Sequence, residues 1–283
     1  MKVVVIGAGT MGHGIAQVSA MAGYETVQVD ATLEQAEAGV ARALRNLDDG
    51  VKRGKVTVDA RDAAAASLRA SADIPSAVVD ADIVIEAVPE RMELKQSVLA
   101  TADAHMPAGA LLGSNTSSLS ITDLQNALTH PQRVVGLHFF NPVHINPLIE
   151  VVRGRLTDET SMTAALAYVA RIGKEAVVVN DSPGFATSRL GVLLGLEAMR
   201  MLEEGVAQAA DIDRALELGY RHPMGPLKLT DLVGLDVRLD IARYLHEKLG
   251  AAHFKPPAIL ERLVADGHLG KKTGRGFYDW SES

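Results

Sequence analysis

Two polar side chains stand alone in otherwise apolar runs, and both are of types that move protons. His138 lies in Val134–Phe140 and Glu150 in Leu148–Val152. Both runs predict strands, the first interrupted by Asn141-Pro142, and a turn between them would set the imidazole beside the carboxylate. A buried carboxylate needs a partner. An imidazole held by a carboxylate through one nitrogen offers the other as a general base, while the carboxylate fixes the tautomer and stabilises the imidazolium. The same pattern also fits a buried histidine in a structural ion pair. A further polar group, Gly113-Ser114-Asn115-Thr116-Ser117-Ser118, follows the apolar Ala110-Leu111-Leu112. In a parallel sheet such loops lie at the carboxyl ends of strands, where ligands bind. Ser120 and Asp123 read as a capping box, which accounts for Ser120 and extends to Ser118. Asn115, Thr116 and Ser117 are left to hydrogen-bond a substrate oxygen.

A glycine loop supplies a second chemistry. Gly7-Ala8-Gly9-Thr10-Met11-Gly12 follows a predicted strand and opens a predicted helix. Gly7 permits the tight turn, Gly9 the approach of a pyrophosphate to bare backbone, and Gly12 close packing of helix on strand. Phosphates would sit at the helix N-terminus. Asp30 ends the next strand 18 residues after Gly12, near the spacing of an acid that binds the adenosine ribose hydroxyls. That carboxylate would repel a 2′-phosphate, so the expected cofactor is NAD. The plainer alternative is a glycine turn with a solvated aspartate.

These groups need a scaffold, and the pattern of the chain provides one. Strands are predicted at Val3–Ile6, Thr26–Val29, Ile83–Val88, Ala110–Gly113, Val134–Phe140, Leu148–Val152 and Ala176–Val179. Helical patterns at Gly14–Ala22, Leu33–Leu47 and Glu93–Ala104 alternate with them, which implies a doubly wound, Rossmann-type α/β domain over residues 1–182. The alanine-rich Ala63–Ala66 reads as a helix surface. Asp181-Ser182-Pro183-Gly184 has linker chemistry. From residue 183 to 283 an all-α domain is expected, with helices at Arg189–Glu204, Ala209–Leu218, Pro226–Leu249 and Ala258–Ala265; its leucine spacing fits a core and a dimer face.

Composition narrows the function classes. The chain has 283 residues, 47% hydrophobic and 22% charged, as ordinary globular proteins do. A net charge of −7 argues against non-specific binding to nucleic acid or anionic membranes. With no cysteine, thiol nucleophiles, disulfides and thiolate metal sites are excluded. The histidines show no helix-spaced metal pair, so no metal is expected. No apolar run is long enough for a membrane span. Met1–Gly7 leads straight into a strand without a cleavage site, so a cytoplasmic enzyme without a signal peptide is expected.

Seven motifs in order carry a resemblance. Gly7-Ala8-Gly9-Thr10-Met11-Gly12, Glu86-Ala87-Val88-Pro89-Glu90, Ser114-Asn115-Thr116-Ser117-Ser118, His138-Phe139-Phe140-Asn141-Pro142, Asp181-Ser182-Pro183-Gly184-Phe185, His222-Pro223-Met224-Gly225-Pro226 and Gly270-Lys271-Lys272-Thr273-Gly274-Arg275-Gly276-Phe277-Tyr278 span nearly the whole chain. Together they closely resemble the L-3-hydroxyacyl-CoA dehydrogenase family, particularly its short bacterial 3-hydroxybutyryl-CoA dehydrogenase branch. The resemblance implies oxidation of a (3S)-3-hydroxyacyl-CoA by NAD to a 3-oxoacyl-CoA, or the reverse. It gives His138 the role of base, Glu150 that of its orienting partner and Ser117 a hydrogen bond to the reacting oxygen. It places Asp30, Glu90, Lys95, Asn115 or Ser117, Asn141 and Lys272 in contact with NAD, and Asn141 beside the substrate. Without it, Lys95 and Lys272 read as solvated surface charges. Lys52-Arg53-Gly54-Lys55 forms a basic finger where relatives approach the CoA phosphates, or alternatively a solvated hairpin tip. A homodimer through the helical domain is implied as well.

Two positions depart from the family pattern. Ser188 stands just before Arg189, where relatives usually carry a catalytic-group asparagine, and Pro147 stands where they often carry lysine. A sugar-acid dehydrogenase of gulonate type, from the same superfamily, is the rival enzyme. A catalytically silent NAD-binding structural protein is the rival from another class.

Overall fold

Continuous apolar runs become the inner strands of one sheet. The computed structural model describes residues 1–281, and the chain divides into two units, Met1–Ser182 and Pro183 onward. In the first unit β1 (Lys2–Ile6), β2 (Glu25–Val29), β3 (Leu68–Ser71), β4 (Ile83–Glu86), β5 (Leu111–Ser114), β6 (Val134–Phe139), β7 (Leu148–Arg153) and β8 (Glu175–Asn180) lie in the order β3-β2-β1-β4-β5-β6-β7-β8. The first six of these in space are parallel, in the strand order of a doubly wound dinucleotide fold. β7 then turns back antiparallel to β6, and β8 pairs parallel with β7.

Helices α1 (Gly12–Met21), α2 (Leu33–Lys52), α3 (Val58–Ser67), α4 (Ile74–Val78), α5 (Met92–His105), α6 (Ile121–Gln125) and α7 (Glu159–Arg171) connect the strands. Their starts follow local chemistry. Thr32, Thr57, Ser120 and Asp158 each accept a first-turn N–H at α2, α3, α6 and α7. Ile15, Tyr24, Leu47, Ile85, Leu137 and Tyr168 form part of the core that these helices share with the sheet.

The second unit contains α8 (Thr187–Glu203), α9 (Ala209–Tyr220), α10 (Pro226–Val233), α11 (Leu235–Leu249) and α12 (Ala258–Ala265) around its own core of Leu196, Met199, Leu227, Leu239, Leu245 and Phe254. Two sequence expectations need correction. β3 was not anticipated: Leu68-Arg69-Ala70-Ser71 buries only its leucine and shows no alternation, and pairing with β2 is what makes it a strand. The expected helix Pro226–Leu249 is two helices. Gly234 breaks it with φ +105, and a Cβ there would lie 2.9 Å from Asp236 Oδ1.

Candidate active site

The glycine loop joins β1 to α1 at the carboxyl edge of the sheet. Gly7 has φ +103, and a Cβ on it would meet the Ala87 carbonyl at 2.5 Å; one on Gly12 would overlap the Gly7 carbonyl at 1.7 Å. Side chains are excluded at both positions by the strand–helix turn itself. At Gly9 a Cβ would meet nothing within 4 Å, so the loop presents bare backbone to open space. Gln28, buried in β2, clamps the turn by donating to the Gly7 and Val5 carbonyls at 2.8 and 3.1 Å. Asp30 at the end of β2 accepts from the Ala8 N–H at 2.6 Å and the Ala31 N–H at 2.7 Å. The first bond ties the acid to the glycine loop and the second to its own backbone, and each carboxylate oxygen has a second lone pair to offer.

That open space is a cavity of about 570 Å³. Gly7, Gly9, Thr10 and Met11 line one end with Asp30, and Asn115, Ser117 and His138 line it further along, together with Glu90 and Lys95. Its size is within the ordinary range of ligand sites. Bare backbone at a helix start, with an acid placed for ribose, fits a dinucleotide.

At the far end, the antiparallel register of β6 and β7 sets His138 directly opposite Glu150. His138 Nδ1 is 2.7 Å from Glu150 Oε2, with the carboxylate wholly buried and the ring nearly so. The Phe140 ring packs at 4.3 Å, centroid to centroid, against the imidazole. Asn115 Oδ1 accepts from the Phe139 N–H at 2.9 Å, joining the polar loop after β5 to the strand that carries the histidine.

A charge cluster, buried at Glu86 and Lys95 and open to the cavity at Glu90, supports the same loop. Glu90 Oε1 accepts from Thr116 Oγ1 at 2.6 Å, Ser117 N at 2.9 Å, Ser118 N at 3.1 Å and Ser117 Oγ at 3.2 Å. Lys95 is 1% exposed, so it is not the surface charge that its sequence neighbourhood alone suggests. Its Nζ lies 2.7 Å from Glu86 Oε1 and 3.3 Å from Glu90 Oε2. Glu86 also accepts from Ser114 Oγ at 2.6 Å and Val88 N at 2.7 Å. Burial pushes the Glu86 carboxyl above the usual range despite Lys95. Burial pushes Glu90 the same way, but Lys95 and the Thr116 and Ser117 donors together hold it below. Sequence reasoning did not name Glu86 as a site residue. The available signal was the one that identified Glu150, a carboxylate inside an apolar run.

Other expected site residues lie elsewhere. Asn141 is exposed just after β6 and is not among the residues lining this cavity. Lys52 is exposed and paired with Asp49 at 3.1 Å. Lys55 lines a second cavity of about 670 Å³ with Arg53, Asn46, Gln17 and His144. Lys272 belongs to the second unit, where its Nζ reaches both oxygens of Asp236 at 2.6 Å. Ser188 is in the first turn of α8. Among the described residues there is no cluster of three or more acidic or histidine side chains able to hold a metal ion, and no helix long and apolar enough to cross a membrane.

Comparison with known proteins decides the family. The profile described as "3-hydroxyacyl-CoA dehydrogenase, NAD binding domain" matches residues 2–182, and the one described as "3-hydroxyacyl-CoA dehydrogenase, C-terminal domain" matches residues 184–280. The chain belongs to the 3-hydroxyacyl-CoA dehydrogenase family. It is similar to a probable 3-hydroxybutyryl-CoA dehydrogenase of Bacillus subtilis, 42% identical over 99% of this chain and 98% of the relative. A 3-hydroxybutyryl-CoA dehydrogenase of Mycobacterium tuberculosis is 43% identical over the same shares. Among solved structures, the (S)-3-hydroxybutyryl-CoA dehydrogenase from Ralstonia eutropha superposes with a TM-score of 0.96 at 38% identity, covering 99% of both chains. As a 3-hydroxyacyl-CoA dehydrogenase the chain is an NAD-dependent oxidoreductase, and the glycine loop with its cavity belongs to the segment matched by the family's NAD-binding domain.

Proposed function

We propose that this chain interconverts short-chain (3S)-3-hydroxyacyl-CoA and 3-oxoacyl-CoA, 3-hydroxybutyryl-CoA being the model substrate. The observation that carries the proposal is the His138–Glu150 pair at 2.7 Å, in the same cavity as Ser117 and the glycine loop. With its Nδ1–H donated to Glu150, His138 presents Nε2 as the basic nitrogen. It takes the proton of the 3-hydroxyl as the hydrogen on C3 leaves with its electron pair, and Glu150 stabilises the imidazolium so formed. Ser117 hydrogen-bonds the reacting oxygen. Bound NAD supplies the hydride acceptor. Gly7, Gly9, Thr10, Met11 and Gly12 hold its pyrophosphate, Asp30 its ribose, and Glu90, Lys95 and Asn115 complete its contacts. Fixing these groups in place supplies most of the rate.

Ser188 of the helical unit acts on the acyl group in the place of the family asparagine. Lys55 and Arg53 take the CoA phosphates at the second cavity, with Lys52 near its rim. The enzyme works in the cytoplasm as a homodimer formed by its helical domain.

The test is NADH oxidation on mixing with acetoacetyl-CoA. Turnover is expected, and His138→Gln should lower kcat by about 10²–10⁴ while NADH still quenches or enhances fluorescence on binding. Activity on gulonate alone would assign the sugar-acid reaction instead. Cofactor binding with no turnover on either substrate would leave a silent dinucleotide-binding protein.

A further inference from the structure

Glu90 carries more charge into the cavity than its bonds to the loop require. Its Oε1 accepts from Thr116, Ser117 and Ser118, while Oε2 has Lys95 Nζ at 3.3 Å. That ammonium is 1% exposed and lies closer to Glu86, at 2.7 Å, whereas the Glu90 side chain is 36% exposed and lines the cavity. The cation is thus set behind the carboxylate and shared with a second one, so negative charge faces the open space. Lys95 and the loop donors hold the Glu90 carboxyl below the usual range, which keeps it ionised near neutrality.

Oxidation of a 3-hydroxyl moves a positive charge across this cavity. The C3–H bond breaks with its electron pair and a C–H bond forms on the nicotinamide ring, which loses its charge. The hydroxyl proton goes to His138, which gains one. Glu150, 2.7 Å from the imidazole, stabilises the charge where it arrives. Where it departs, the ring must touch C3 for direct transfer. Ser117, which holds the oxygen on C3, has its Oγ 3.2 Å from Glu90 Oε1. The ring therefore lies about two hydrogen-bond lengths, about 6 Å, from the Glu90 carboxylate. Asp30, the other carboxylate lining the cavity, is bound to the glycine loop at the opposite end.

We propose that Glu90 selects between the two redox forms of the cofactor: its charge favours the nicotinium ring of oxidised NAD over the neutral ring of NADH. This rests on the proposed function, which puts the ring beside Ser117. A neutral side chain at position 90 would leave the adenosine and pyrophosphate contacts alone and remove the attraction for the charged ring. NADH would then hold the site more tightly relative to NAD, and product inhibition in the direction of alcohol oxidation would rise.

The experiment titrates the full chain calorimetrically with NAD, NADH and ADP-ribose, the last of which lacks the nicotinamide ring. Glu90→Gln keeps an acceptor oxygen for Thr116, Ser117 and Ser118, and Glu86 still neutralises Lys95 in that variant. Its Kd for NAD should rise by roughly 10-fold, less than the bare Coulomb value at about 6 Å because Lys95 behind the carboxylate opposes it. The Kd values for NADH and ADP-ribose should stay as in wild type. Glu90→Asp, which keeps the charge, should restore most of the wild-type ratio of NAD to NADH affinity. A merely structural Glu90 would weaken all three ligands together and leave that ratio alone. Should Glu90→Gln fail to fold, Glu90→Ala reads the same ratio, since it too is neutral. A ratio unmoved in a folded neutral variant overturns the proposal, and so does a loss of ADP-ribose affinity as large as the loss for NAD. If the wild-type chain does not reduce acetoacetyl-CoA, the proposed function fails; the ratio is read without turnover and still decides the role of Glu90.

Discussion

Glu86 and Lys95 are buried and Glu90 opens onto the cavity, so two carboxylates share one ammonium from different surroundings, and they shift in opposite directions. Glu86 is raised by burial, and Glu90 is held down by Lys95 and the loop donors. The signs give distinct pH windows. Above the unfolded value of 4.5, folded Glu86 holds its proton longer than the unfolded chain does, so its contribution to stability falls as pH rises through its raised folded pKa. Glu90 contributes stability above the unfolded value of 4.5 and loses it as pH falls through its lowered folded pKa. Glu86→Gln keeps an acceptor for Lys95 and Val88 but cannot titrate. Urea midpoints measured from pH 4.5 upward should therefore decline less steeply in Glu86→Gln than in wild type. Parallel profiles would mean that Glu86 does not change its proton count on folding.

At the scale of elements, the pairing of β6 with β7 turns two separate polar residues into one device. Their antiparallel register puts His138 opposite Glu150, and a one-residue slip would send the two side chains to opposite faces. Gly136 holds that pairing close. A Cβ there would lie 2.6 Å from Val152 Cβ and 3.0 Å from the Ile121 side chain. Gly136→Ala should destabilise the protein by about 1–3 kcal/mol through overpacking and lower kcat more than it weakens NADH binding, because the strain enters at the strand carrying His138 and not at the glycine loop. A loss confined to NADH affinity would count against this division. The contact between His138 and Glu150 was legible in the sequence because each residue interrupts an apolar run, and the glycine loop because strand, turn, helix and acid follow in order. β3 was not, since Leu68-Arg69-Ala70-Ser71 has no pattern of its own and takes its form from β2. Nor was the burial of Lys95: a lysine on a helix reads as solvated until Glu86, nine residues away in sequence, is brought under it at the end of β4.

The two units differ in how much apolar surface they leave uncovered. The helical unit is much the shorter, yet among the described residues it exposes nine large hydrophobic side chains against ten in the sheet unit. Leu190 is 60% exposed, Leu218 67% and Tyr220 78%, while α10 adds Leu229 and Leu232. Exposed apolar surface concentrated in one part of a chain marks a contact with another molecule, and a second copy on a two-fold axis covers the same patch on both protomers at once. Light scattering at micromolar concentration should give about twice the 30.0 kDa of one chain. Because the contact would be isologous, a single Leu190→Glu change introduces a buried carboxylate on both sides of the interface, at a position where the free protomer pays nothing for it. That variant should scatter as a monomer and melt lower than wild type, and the wild-type Tm should rise with protein concentration where the variant's does not, as mass action requires for a folded state stabilised by association. A wild-type chain that scatters as a monomer at these concentrations would instead assign the exposed leucines to some other partner.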